Sequence, residues 1–504
     1  MSEGNSYRQI LRSSSIIGGA SVINIVIGLV RMKAVAVLLG PAGVGLIGLF
    51  TNLVALASNV AGLGFGNVGT RQIAEAAGQD DPQRIAAARR ALFWGTLVLA
   101  VGGALLLWLL RHVLAAHVLG DPSLASQVGW LSLAVALTVA AASQNALLNG
   151  LRRIGDIARM QVGSALVATA IGLAAIAWLG MVGVVAFVIA VPLATFVLGH
   201  WYVSRLPRVQ APTSDLRALS AQWRTMARLG AAFMVAGLAG VIGQLVVRTL
   251  VQRDLGTDAL GQFQAAWAIS MTYIGFVLTA MGTDYYPRLT AAIKDPAAAN
   301  RLVNEQTEVA LLLAGPVFIA MLGLAPWVIL LLYSSEFAEA TSVLRWQIVG
   351  DILKVASWPL GFVILAAGAG RTFMLTESLA IAVFVLLTWL GMPLLGIEAS
   401  GIAFVVMYLV HLPLVFVLAR KRTGFAWQRQ VALQLLLLLV LGSAVFAASV
   451  WSQWLGAGMG VLLAAGLGVQ ALARLGHMSG LGGPLGRMSA TSQQWMKRTG
   501  VWRE

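Results

Sequence analysis

The chain has no cysteine. Disulfides, thiolate metal sites and thiol redox chemistry are therefore excluded. Its five histidines, His112, His117, His200, His411 and His477, show no ligand spacing, so no metal centre and no cofactor is expected. Charge is scarce: only 11% of the 504 residues are Asp, Glu, Lys or Arg. Catalytic signatures are missing too, with no HExxH, no GxSxG, no Walker A loop and no Asp-rich interfacial loop. An enzyme is thereby disfavoured, and without an ATP site any work must draw on an ion gradient or on removal of product. No repeated filter motif or ring of like charges suggests a channel.

What is abundant is apolar. Hydrophobic residues make up 59% of the chain and the mean hydropathy is +0.84, more than a soluble domain of this length tolerates. The sequence predicts an all-α polytopic membrane protein. Its 55 glycines against 14 prolines suit close helix packing in lipid. Windows long enough to cross about 30 Å of hydrocarbon lie near 14–39, 44–66, 91–110, 124–148, 160–179, 182–203, 229–252, 260–283, 308–333, 341–367, 372–391, 398–419, 431–450 and 457–474, fourteen in all. The first is too long for a signal h-region and ends at Gly40-Pro41 without a small-residue cleavage site, so it is expected to stay as the first span.

Basic residues fall on one side of these windows. Of 34 Lys and Arg, 27 collect on the side of both termini, among them Arg8, Arg12, Arg71, Arg84, Arg89, Arg90, Arg152, Arg153, Arg205, Arg288, Arg371, Arg420, Lys421, Arg422 and the tail residues Arg487, Lys497, Arg498 and Arg503. The other side has Arg111 and Arg253 among Asp121, Asp254, Asp258, Glu336 and Glu339. By the positive-inside rule both termini are expected in the cytoplasm. The net charge of +15 reflects this asymmetry and contact with anionic membrane lipid, and no nucleic-acid partner is expected.

The chain also repeats. Leu39-Gly40-Pro41-Ala42-Gly43-Val44-Gly45 recurs as Leu255-Gly256-Thr257-Asp258-Ala259-Leu260-Gly261 at an offset of 216. Gly69-Thr70-Arg71 corresponds to Tyr286-Pro287-Arg288 at 217, and Asn149-Gly150-Leu151-Arg152-Arg153 to Ala367-Gly368-Ala369-Gly370-Arg371 at 218. Two six-helix lobes are expected, residues 1–210 and 211–422, followed by two C-terminal helices at 423–480 and a cytoplasmic tail at 481–504. Six is even, so both copies enter the membrane from the same side and an axis along its normal relates them.

Polar residues inside the windows sort by helical phase. Asn24, Gly28 and Arg31 share a face, and Lys33 lies roughly 200° from Arg31, so one of the two cations snorkels or pairs locally. Asn52 and Asn59 are seven apart, and Thr138, Asn145 and Asn149 form a stripe. Gln244, Arg248 and Gln252 follow at spacing four, and Gln347, Asp351, Lys354 and Trp358 run down one face. Singly, each asparagine is most simply interhelical glue. Cations deep in hydrocarbon cost more and call for a use. Asp351 can neutralise Lys354 as an internal pair or yield it to a substrate anion, and Arg345 is expected at the outer interface. Together these groups describe a cavity in which Arg31, Arg248 and Lys354 take an anion, phosphate being the best match for arginine. The amides Asn24, Asn52, Asn59, Asn145, Gln244 and Gln347 suit sugar hydroxyls, and Asp351 is the candidate for ion coupling.

A basic residue late in the first window, the turn 39–45 and the run Asn59-Val60-Ala61-Gly62-Leu63-Gly64-Phe65-Gly66-Asn67 leading to Arg71 resemble the Wzx-type O-antigen and oligosaccharide flippases. These belong to the multidrug/oligosaccharidyl-lipid/polysaccharide (MOP) exporter superfamily. The specific motif covers about the first ninety residues, and the topology the whole chain. The resemblance implies two lobes around an alternating cavity in a bacterial inner membrane. It implies an undecaprenyl-diphosphate-linked oligosaccharide as cargo, protons or sodium as driving ion, and a polysaccharide polymerase and chain-length regulator as neighbours. The last two helices would hold the polyprenyl tail, by analogy with the lipid II flippase. The family's basic residue in the first helix corresponds to Arg31 or Lys33, with phase favouring Arg31. In the second lobe the repeat aligns Arg248 with Met32. A MATE-like drug exporter, which would need cavity acids for cationic drugs, and a lipid II flippase are the alternatives. A glycan polymerase or ligase would need a large outer loop, and none here exceeds about twenty residues.

Overall fold

The first helix, α1 (Glu3–Gly62), is 60 residues long, about three times what one bilayer crossing requires. It breaks at Gly40, where φ is 63° and ψ is −164°, a conformation open in practice only to glycine. A computed structural model describes residues 3–79, 81–207 and 216–479. The tail 481–504, Arg208, and the side chains of Arg8, Arg12 and Arg217 lie outside the described residues.

A short amphipathic helix, α2 (Phe65–Gly78), follows, turning Phe65, Val68, Ile73 and Ala76 inward. The apolar windows do not predict it, because one buried stripe raises hydropathy too little to register. α3 (Pro82–Leu109) begins at Asp81, whose carboxylate accepts hydrogen bonds from the backbone amides of Gln83 and Arg84 at 3.0 and 3.1 Å, with Pro82 in the first turn. Next come α4 (Ala125–Gly150), α5 (Ile154–Leu179) and α6 (Gly183–Ser204). α7 (Leu216–Ala292) repeats the design of α1: 77 residues broken at Gly256, with φ 90° and ψ 176°. The chain closes with α8 (Pro296–Leu332), α9 (Ala340–Ala366), α10 (Gly370–Leu395), α11 (Glu398–Thr423), α12 (Arg429–Trp451) and α13 (Gln453–Ser479).

With α1 and α7 each counted as two arms and α2 set aside, the described residues hold fourteen helices of crossing length, one for each predicted window. Ten stretches are long and apolar enough to cross a membrane, and two of them, Gly18–Gly62 and Ile154–Ser204, contain two helices each. This is a multi-pass membrane protein. Trp108, Trp130, Trp178, Trp389, Trp451 and Trp454 are exposed at helix ends remote from the arginine-rich loops, as expected of an interfacial aromatic belt.

The break points meet the repeat squarely. A Cβ at Gly45 would lie 2.7 Å from the amide nitrogen of Gly261 and 2.8 Å from the carbonyl oxygen of Thr257, and one at Gly261 would overlap the carbonyl of Pro41. Positions 41 and 257, like 45 and 261, are equivalent under the offset of 216. Reciprocal contacts between equivalent residues are the mark of a local two-fold relation.

The chain forms two compact units, Met1–Gln264 with Leu332–Glu336, and Ala265–Leu331 with Phe337–Glu504. In the first, α3 and α6 both pack on α4, α5 pairs with α6, and Phe65, Ile73, Leu92, Leu148, Met160 and Met226 form a core. In the second, α9 and α10 pack on α11 and α12 pairs with α13, around Tyr285, Leu289, Val363, Val415 and Phe425.

Candidate functional site

In the first unit the two predicted arginines are held by different surroundings. Arg31 is half-buried with its guanidinium 5.4 Å from the ring centre of Phe187 on α6. Its Nε is buried with no hydrogen-bond partner among the described residues. Lys33 instead donates to the backbone carbonyl of Tyr333, far away in sequence. Arg248 is 4% exposed. Its Nε donates to Gln264 Oε1 at 3.0 Å, and its Nη1 to the Gln244 backbone oxygen at 3.1 Å and to Gln244 Oε1 at 3.4 Å. The ring of Phe263 lies 5.7 Å from the guanidinium. Gln244 is thus a second contact to Arg248 one turn away, as its spacing predicts, whereas Gln264 comes from beyond the Gly256 break and no periodicity reveals it.

The stripe on α4 lines a cavity of about 420 Å³. Thr138, Asn145 and Asn149 face it, and α2 and α6 add Asn67, Thr70 and Thr195. The sequence does not mark these three as cavity residues, because Asn67 and Thr70 sit on a short helix already rich in polar groups and Thr195 forms no polar stripe on α6. Asn145 donates to the Ala141 carbonyl at 3.2 Å, a bond within its own helix rather than between helices. Asn24 and Asn52, on the two arms of α1, each keep a buried amide oxygen without a partner among the described residues. Asn59 is half-buried on the second arm.

In the second unit, the α9 stripe divides by role. Asp351 is fully buried and its Oδ2 accepts from Ser270 Oγ and Tyr273 Oη, both at 2.6 Å, so hydroxyls of α7 take up the carboxylate. Its Oδ1 has no partner among the described residues, and neither has the amide of Gln347, which is also fully buried one turn earlier. Lys354 Nζ lies 3.4 Å from Met271 Sδ and 5.9 Å from the centre of the Phe404 ring. Trp358 belongs to the core, 6.1 Å from Tyr285 and 4.6 Å from Phe362 between ring centres. Arg345, expected at the interface, is 7% exposed in the second turn of α9 and donates from Nε to the Leu322 carbonyl at 3.3 Å. The packing of α8 over α9 buries it.

Glu377 and His411 were missed as functional groups. They lie on α10 and α11 with Glu377 Oε1 3.5 Å from His411 Nε2, and the charge of Glu377 acts on Lys354. The available signal was a carboxylate six residues into an apolar window. A further groove of about 470 Å³ runs between α8, α12 and α13, walled by Leu311, Leu433, Leu437 and Leu467 and ending at Arg429 and Arg474. Arg474 pairs with Glu308 at 3.3 Å, and Glu308 also accepts from Gln430 Nε2 at 2.6 Å. Among the described residues no group of His, Asp and Glu could hold a metal ion.

Long helices bent at repeat-related glycines, with cations and amides inside their apolar spans, define a multi-pass membrane protein of transporter architecture. The polysaccharide biosynthesis protein family matches residues 10–292, more than half of the chain, and the chain belongs to that family. The Wzx resemblance seen in the opening residues extends to the enterobacterial common antigen lipid III translocase. The Lipid III flippase of Escherichia coli (strain K12) is 26% identical over 420 residues, covering 80% of this chain and 97% of its own. The fold matches the lipid II flippase MurJ in its inward closed conformation, with a TM-score of 0.69 at 10% identity, over 92% of this chain and 100% of that one. It also matches an inward-facing multidrug resistance MATE family transporter of the MOP superfamily, with a TM-score of 0.68 at 17% identity, over 80% and 98%. These relatives are flippases and transporters rather than enzymes.

Proposed function

We propose that this protein is a flippase that moves an undecaprenyl-diphosphate-linked oligosaccharide from the cytoplasmic to the periplasmic leaflet of a bacterial inner membrane by alternating access. The observation that carries this reading is the buried guanidinium of Arg248, oriented inside the membrane by two amides. The coverage of a Lipid III flippase over 97% of its length supports it. Arg31, Arg248 and Lys354 engage the diphosphate, where charge-assisted hydrogen bonds in a low dielectric are strongest. Asn24, Asn52, Asn59, Asn145, Gln244 and Gln347 meet the glycan, joined by Asn67, Thr70 and Thr195. The polyprenyl tail stays in lipid, along the leucine-walled groove of α12 and α13. Residues 1–210 and 211–422 act as the rocking lobes. The distribution of Lys and Arg supports a topology with both termini in the cytoplasm, and a polymerase and chain-length regulator act on the exported unit.

Purified protein is expected to bind undecaprenyl diphosphate, with or without sugar, in preference to a cationic dye. Dye binding with indifference to the diphosphate would overturn the flippase reading in favour of a drug exporter.

Inward protons or sodium drive export through Asp351, whose free Oδ1 beside the unpartnered amide of Gln347 offers an ion or proton a place. In proteoliposomes, Asp351→Asn is expected to lose stimulation by an imposed proton or sodium gradient while keeping diphosphate binding. Stimulation equal to wild type would remove Asp351 from the coupling step.

A further inference from the structure

A second cavity in the first unit, of about 550 Å³, lies between α3, α4 and α6, apart from the amide-lined one. Its apolar wall includes Phe93, Leu97, Leu147 and Phe196, with Phe93 and Leu97 exposed at its rim. A rim of exposed Phe and Leu on a membrane-spanning helix faces lipid. At its other end Arg89 and Arg90 line the cavity, both half-buried in the third turn of α3.

The polar groups inside divide into satisfied and available. Thr96 and Ser143 each donate at 2.7 Å to a carbonyl of their own helix. Gln144 lines the cavity at 8% exposure, set against Gly199 of α6, and its amide oxygen has no hydrogen-bond partner among the described residues. A buried amide oxygen in that state offers an acceptor to whatever fills the space.

We propose that this cavity is a binding site for one anionic phospholipid of the surrounding bilayer. Its phosphate lies between Arg89 and Arg90, a hydroxyl of a glycerol head donates to Gln144 Oε1, and an acyl chain runs along Phe93 and Leu97. Successive residues on a helix diverge by about 100°, so the two guanidiniums flank a headgroup rather than stack on one side of it. Arginine matches phosphate oxygens in pairs, and basic pockets between membrane helices at the arginine-rich side select anionic heads. The volume takes one head and the upper part of a chain, and the lining is distinct from the residues assigned to the cargo.

Native mass spectrometry of the detergent-purified full chain, titrated with phosphatidylglycerol, phosphatidylcholine or undecaprenyl diphosphate, tests the assignment. Wild type is expected to retain phosphatidylglycerol roughly tenfold better than phosphatidylcholine, because both carry the phosphate but only the first lacks a head cation that opposes the two arginines. In the doubly substituted Arg89→Gln, Arg90→Gln protein this preference should fall to near unity. Ala140→Phe, which fills the cavity without changing charge, should lower retention of phosphatidylglycerol by a similar factor and guards against misfolding of the first variant. Absence of any preference in wild type, or its persistence in both variants, would overturn the proposal. So would displacement of phosphatidylglycerol by an equal concentration of undecaprenyl diphosphate, which would give the site to the cargo.

Discussion

Gly261→Ala is expected to lower the melting temperature strongly. The added methyl group would overlap the backbone carbonyl of Pro41 and lie 2.7 Å from its Cα. A backbone atom cannot step aside as a side-chain end can, and the neighbouring break at Gly40 fixes where Pro41 sits. Overpacking of this kind costs on the order of 3 kcal/mol, a large share of the stability of most folded chains. The reciprocal change, Gly45→Ala, should behave alike, because its Cβ would meet the amide nitrogen of Gly261 at 2.7 Å. Gly466→Ala on α13, where nothing lies within 4 Å, is the control and should be neutral. Thermal unfolding followed by size-exclusion fluorescence in detergent would decide it. An alanine at 261 that melts with wild type would mean that the two repeat turns do not pack glycine to glycine.

That contact shows what a sequence of this kind discloses and what it hides. The recurrence of Leu-Gly before the second arm of each broken helix, 216 residues apart, is visible in the letters, and so is the number of crossings. Both follow from strong one-dimensional signals: apolar length and glycine at a break. The stripe of Thr138, Asn145 and Asn149 was legible for the same reason, since three polar residues on one helical face of an apolar window stand out. Asn67, Thr70 and Thr195 line the same cavity from two other helices. Their membership depends on how α2 and α6 pack on α4, which no periodicity encodes.

Charge was partly legible. Cations stand out in hydrocarbon, so Arg31, Arg248 and Lys354 could be named from the sequence, but their partners could not. Helical phase separated Arg31 from Lys33, and the tie of Lys33 to the Tyr333 carbonyl agrees with that separation. The partners of Asp351 lie on another helix, at Ser270 and Tyr273, where two ordinary hydroxyls give no hint of a buried carboxylate. Glu377 and His411 are single ionisable residues on separate helices, and only the packing of α10 on α11 makes them a pair. Arg345 is near a helix end, as its place in the sequence indicates, but its burial and its bond to the Leu322 carbonyl depend on a neighbouring helix.

Arg248→Ala is expected to weaken binding of undecaprenyl diphosphate by about 10- to 100-fold, the range that a charge-assisted hydrogen bond of roughly 1.5–3 kcal/mol supplies. The geometry sets this residue above its two fellow cations. Gln264 and Gln244 fix the guanidinium through Nε and Nη1, and their amide oxygens orient it without cancelling its charge. A preorganised donor loses little entropy when an anion arrives. Arg248→Lys should recover only part of the affinity, because an ammonium cannot hold both amides and present a planar face to two phosphate oxygens. Gln264→Leu tests the orienting role: the charge stays, the Nε contact goes, and affinity should fall by less than in Arg248→Ala. Isothermal titration with the soluble-chain diphosphate analogue, beside a melting curve for each variant, separates the readings. Unchanged affinity with a lowered melting temperature would make Arg248 a structural residue and leave the diphosphate to Arg31 and Lys354. A drop in affinity at constant melting temperature would place the anion against this guanidinium.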